Sequence, residues 1–97
     1  MAKRLESVFT DDMDSCIFTG STIVERHHIF GGSNRTKSEV FGFVVPLRPD
    51  LHPNGVRADP RYRKAIDEYL KKMAQEYFES HIATREHFIK LFGKSYL

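Results

Sequence analysis

The strongest periodicity lies in the second half of the chain. Tyr62, Ala65, Ile66, Tyr69, Leu70, Met73, Ala74, Tyr77 and Phe78 recur at three- and four-residue steps, the period of one helix face. Asp59 is a good N-cap, and Pro60 behind it has a fixed φ suited to a first helical turn. The pattern predicts an amphipathic helix over about 60–79. A second start follows at Thr84, with Phe88, Leu91 and Phe92 as a short apolar face and Gly93 as a stop.

The first half has a different pattern. "TIVERHHIF" leads with β-branched residues into a histidine pair and predicts a strand over about 22–30. "GGSNRTKSEVFG" clusters Gly, Ser, Asn and Thr and predicts a loop. "FVVPLR" predicts a second strand, ended near Pro46 and Pro49 because proline cannot donate to a ladder. Together these make a long-looped antiparallel hairpin, followed by the turn-rich "RPDLHPNGVRADP". The expectation is one α+β domain over 1–97, with a leading segment at 1–15, the hairpin at 16–58 and helices at 59–97.

Composition and charge narrow the function classes. Ninety-seven residues, 40% of them hydrophobic, with eight Phe and four Tyr, suffice for a single core and are too aromatic for a disordered tail. No apolar run approaches the ~20 residues of a membrane helix. "MAKRLESVFTDDMDSC" has no apolar h-region, so the expectation is a soluble cytoplasmic protein, without a membrane partner or a small-molecule cofactor. The single cysteine, Cys16, excludes an internal disulfide framework and a zinc site built from cysteine pairs.

The net charge of +2 is mild but unevenly spread. Asp11, Asp12 and Asp14 are acidic near the start. From Arg26 to Lys64 acid occurs only at Glu39, Asp50 and Asp59, against Arg26, Arg35, Lys37, Arg48, Arg57, Arg61, Arg63 and Lys64. That basic stretch suits a polyanion, or a solvated basic surface. Asn34, Arg35 and Lys37 lie in the predicted glycine-rich loop, as phosphate contacts or as ordinary loop residues.

Histidine is the usual proton carrier at neutral pH and the commonest nitrogen ligand for a metal. His27 and His28 are adjacent, so on a regular strand they point to opposite faces and take separate tasks. His52 follows the second strand in a turn, where the hairpin can return it beside the first. Glu39 is either a surface ion-pair residue or an orienting partner for a histidine. His81 and His87 are outside this constellation and are read as structural or surface residues.

"ERHHIFGGSNRTKSEVFGFVVPLRPDLHPNGVRADP" and the closing "HFIKLFGKSYL" together resemble the HNH endonuclease superfamily, in a small phage-type subgroup, over about Cys16 to Leu97. The resemblance implies a ββα-metal (His-Me finger) core with C-terminal helices. It implies a metal-dependent DNA endonuclease that hydrolyses phosphodiesters, encoded by a phage or prophage and acting in a bacterial host. It makes His28 the general base and His27 and His52 metal ligands, with Mg²⁺ first and Mn²⁺, Ni²⁺ or Zn²⁺ as alternatives. Arg57 stands where this subgroup tends to carry histidine; its permanently protonated guanidinium cannot ligate a metal but suits phosphate.

The chain also departs from the family pattern. The two C-x-x-C pairs of many relatives read here Cys16-Ile17-Phe18-Thr19 and Arg48-Pro49-Asp50-Leu51, so no structural zinc is expected. Ile17, Phe18 and Leu51 are candidates for apolar packing in its place, with Cys16 a buried small hydrophobe. The family asparagine falls at Phe43. These departures leave open an alternative, a degenerate domain that binds DNA or a protein without cutting.

Overall fold

The computed structural model describes residues 6–97. β1 is Glu25–His28 and β2 is Val44–Leu47, paired antiparallel with Glu25 opposite Leu47 and His28 opposite Val44. Between them lie a single 3₁₀ turn, Gly32–Asn34, and α1, Arg35–Phe41. A second 3₁₀ turn, Pro49–Leu51, follows β2, and the chain closes with α2, Pro60–His81, and α3, Arg85–Phe92. This is an α+β fold with a two-stranded antiparallel sheet and three helices.

A two-stranded ribbon is marginal in water, so the helices must supply its stability. Val45 and Leu47 of β2 join Ile29, Phe30 and Phe43 against Leu70, Ala74 and Phe78 of α2 and Phe88 and Phe92 of α3. Every residue of β2 is buried, which explains why "VVPL" is continuously apolar rather than alternating. β1 is shorter than its β-branched lead predicts. Beyond His28 the chain leaves the ladder, and Ile29 and Phe30 turn into the core.

The stretch predicted as a loop contains α1, a correction with an identifiable cause. Seven residues form too short a helix to be stable in isolation, and the Gly, Ser, Asn and Thr content signals a turn. Tertiary contacts override both. Ser38 is fully buried; its hydroxyl accepts from the Phe30 N–H (3.0 Å) and donates to the Phe30 carbonyl (2.8 Å). Gly42 ends the helix at φ +75°, and a Cβ there would meet Val8 Cγ1 at 2.9 Å, so this cap requires glycine. Ser38→Ala leaves two buried backbone groups of Phe30 without that partner and is expected to cost about 1–3 kcal/mol. An unchanged urea midpoint would contradict this account of α1.

The helical half follows its sequence signals closely. Asp59 caps α2 by accepting from the Arg61 N–H at 2.9 Å, and the helix runs two residues beyond the predicted end. Thr84 caps α3 by accepting from the His87 N–H, and Gly93 closes it at φ +98°. The buried stripe of α2 is narrower than its periodicity suggests, because Tyr62 and Tyr69 are exposed. Among the described residues, no helix is long and apolar enough to cross a membrane.

The turn at 16–21 is held by backbone bonds: Cys16 N–H to Ser21 O, Gly20 N–H to Cys16 O, and Ile17 N–H to Pro46 O of β2. Cys16 is a buried free thiol and Ile17 packs against the core. Phe18 is 43% exposed and meets Tyr69 edge-on, so it does not supply the buried packing expected of it. In the facing segment, Arg48 makes a bidentate pair with Asp50 (2.6 and 3.0 Å), stiffening the turn that leads to His52.

Candidate active site

Three elements deliver the three histidines. β1 carries His27 and His28 at its end, and the 3₁₀ turn after β2 reverses the chain so that His52 returns beside β1. That reversal is fixed by the Leu51 N–H to Arg48 O bond and the Asp59 N–H to Asp50 O bond, both 2.8 Å. The rings of His27 and His52 lie 4.9 Å apart, edge to face. His28 pairs with Val44 at the last rung of the ladder. All three histidines line one open cleft with Arg26, Arg35 and Asn54, over Gly31 and Gly32. Its volume, about 280 Å³, lies at the small end of ligand pockets.

Each histidine has a distinct environment. His52 Nδ1 lies 2.6 Å from Glu25 Oε1; a carboxylate only accepts, so Nδ1 carries the proton and Nε2 keeps its lone pair. Glu25 and His27 are two residues apart on β1 and therefore share a face. Gly55 makes this arrangement possible: a Cβ there would meet Glu25 Oε1 at 2.8 Å and His52 Nδ1 at 3.0 Å.

His28 is held from the other side. Its Nε2 is 2.9 Å from Glu39 Oε1 on α1, and its side chain is 11% exposed. Donation to Glu39 leaves Nδ1 as the basic nitrogen. Glu39 is thus an ion-pair partner of His28, its own side chain 42% exposed.

His27 is 1% exposed, and its Nε2 is the one buried side-chain polar atom without a hydrogen-bond partner among the described residues. Burial, reinforced by His52, His28 and the Lys71 ammonium, pushes its pKa down to about 3. The ring is therefore neutral at physiological pH and presents an unmet nitrogen. Leaving such an atom buried and unpaired costs about 1–3 kcal/mol.

This predicts a pH effect on the protein without metal. In the unfolded chain His27 titrates near its ordinary 6.5; in the folded chain it stays neutral down to about 3. The unfolded state therefore binds the extra proton between those values, and stability falls as pH drops through 6.5. The loss is about 1.4 kcal/mol per pH unit from this group. In EDTA, the urea midpoint is expected to be lower at about pH 5.5 than at about pH 7.5, with the gap narrowed in His27→Asn. Equal gaps in both proteins would contradict the assignment.

The remaining sequence candidates divide. Arg35 lines the cleft, and its guanidinium makes no hydrogen bond or ion pair among the described residues. Lys37 and Asn34 do not line it: the Lys37 ammonium donates to the Leu91 carbonyl (2.6 Å) and to Asn34 Oδ1 (3.3 Å), tying α1 to the end of α3. Arg57 is in the exposed turn beyond His52, also outside the cleft. His81 stacks on Tyr77 and bonds its carbonyl, and His87 is exposed.

Sequence reasoning missed Glu25, Asn54, Ser38 and Gly55. Only Glu25 had a usable signal, its period-2 relation to His27. Among the described residues, no group of three or more His, Cys, Asp and Glu is arranged to hold a metal. Compared with known proteins, the chain matches no family model, no curated sequence and no solved structure.

Proposed function

We propose that the cleft is the active site of a metal-dependent DNA endonuclease of the HNH type, built on a ββα-metal core. The observation that carries this reading is the buried, unpartnered Nε2 of His27 beside His52, whose other nitrogen is fixed by Glu25. A metal-ligating histidine characteristically donates its second N–H to a carboxylate in this way. His27 and His52 would hold the divalent ion, with Mg²⁺ first because it keeps several waters and needs few protein ligands. Such an ion, when bound, supplies positive charge beside the phosphodiester oxygens.

The chain's own residues supply the rest. His28 Nδ1 takes a proton from the attacking water; an imidazole with a reference pKa of about 6.5 suits this near neutral pH. Glu39 keeps the opposite nitrogen protonated and stabilises the imidazolium as it forms. The water oxygen bonds to phosphorus, the bond to the 3′ oxygen breaks, and that oxygen takes a proton from solvent, leaving a 5′-phosphate and a 3′-hydroxyl. Arg35 and Arg26 meet the phosphate as charged donors at the cleft wall.

Supercoiled plasmid incubated with the protein and Mg²⁺ or Mn²⁺ is expected to be nicked or linearised, and EDTA to stop it. Persistent supercoils across divalent metals would overturn the cutting activity. The two-imidazole donor set favours one other reading, a module that grips DNA without hydrolysis. Salt-dependent DNA binding without cleavage in any metal would select it.

A further inference from the structure

We infer that the phosphodiester backbone of duplex DNA continues from the histidine cleft into a second cleft along the first half of α2, held there by Arg63 and Lys64. This rests on the proposed nuclease reading and adds a binding track to it.

The two clefts are neighbours. Both are lined by Gly31 and Asn54, which form the saddle between them. A Cβ at residue 31 would stand 4.0 Å from Asn54 Nδ2, so a larger side chain there would narrow the passage that glycine leaves open. Beyond the saddle the floor is Ile29 and Pro53 and the wall is α2.

Charge gives the second cleft its direction. Arg63, Lys64 and Lys71 face a single acid, Asp67, which Lys71 already engages at 3.0 Å. Lys64 has only a 3.9 Å pair with Glu68 between two well-exposed side chains, worth little in water. The Arg63 guanidinium makes no hydrogen bond or ion pair among the described residues. Cations therefore line both clefts: Arg26 and Arg35 in one, Arg63 and Lys64 in the other. A lone anion would occupy one of these positions. A chain of evenly repeated phosphates occupies both, and the salt dependence of its binding counts the contacts.

The test is fluorescence anisotropy of a labelled DNA duplex with the full chain in EDTA, across a range of salt. Wild type is expected to bind with a steep log K against log [salt] slope. In R63Q/K64Q the slope is expected to be shallower by about 2, with weaker binding at every salt concentration. R85Q/K90Q removes the same charge from α3, outside both clefts, and is expected to keep the wild-type slope. An R63Q/K64Q slope equal to wild type, or a matching loss in R85Q/K90Q, overturns the track while leaving the nuclease reading intact. Absence of wild-type binding even at low salt overturns the nuclease reading itself, and the track with it.

Discussion

His28→Ala is expected to lower the rate of plasmid cleavage by about 10²–10⁴-fold, the contribution of a positioned general base. The loss should fall on kcat, because the ring meets the water rather than holding the DNA. Folding should survive, since His28 is at the cleft edge and its only side-chain hydrogen bond among the described residues is the 2.9 Å contact with Glu39. Glu39→Gln separates orientation from base chemistry. A glutamine oxygen can still accept from Nε2–H, but it lacks the negative charge that stabilises the imidazolium. Its expected result is a smaller fall in kcat, with DNA binding and thermal midpoint close to wild type. Equal cleavage by His28→Ala and wild type would remove His28 from the reaction.

Phe43→Asn, which restores the residue that the HNH resemblance places there, is expected to damage the fold rather than improve the site. Phe43 is 0% exposed and its ring meets Phe9, Phe30, Phe41, Tyr77 and Phe92. Emptying such a position costs about 3–5 kcal/mol, and a buried amide without partners adds about 1–3 more. Native domains have about 5–15 kcal/mol in total, so the variant should unfold tens of degrees earlier or fail to fold. Circular dichroism melts read this directly; a midpoint within a few degrees of wild type would contradict the packing account. Ser38 holds both backbone groups of Phe30 just beyond the histidine pair.

What could be read from the chain and what could not divide along the range of the forces involved. α2 and α3 are legible because caps and periodicity are local: Asp59, Thr84 and Gly93 act on neighbours a few residues away. α1 is illegible because its stability comes from Ser38 reaching Phe30 and Gly42 packing on Val8, contacts no window of residues 31–42 contains. The same holds within the site. His27, His28 and His52 are conspicuous by residue type, but the partners that give them separate chemistry come from a distance. Glu39 is 11 residues from His28, and Glu25 is 27 from His52. Lys37, conspicuous as a loop cation, is committed to the far end of α3 for the same reason.

The turn at 16–21 is closed by its own backbone bonds and docked on β2 through Ile17, while Arg48 and Asp50 brace the facing turn. The segment that returns His52 to β1 is thus held by hydrogen bonds and an ion pair. Arg57 is outside the cleft, and the cations that line it are Arg26 and Arg35.

The central claim is that His27 and His52 together hold a divalent ion while DNA is bound. Pulsed electron paramagnetic resonance of Mn²⁺ with the His28→Ala protein and duplex DNA tests it without cleavage. The account predicts nitrogen couplings from imidazole that are reduced in a further His52→Ala change and lost when His27 is also replaced. Mn²⁺ bound with no histidine nitrogen coupling, or with couplings that survive both replacements, would contradict it.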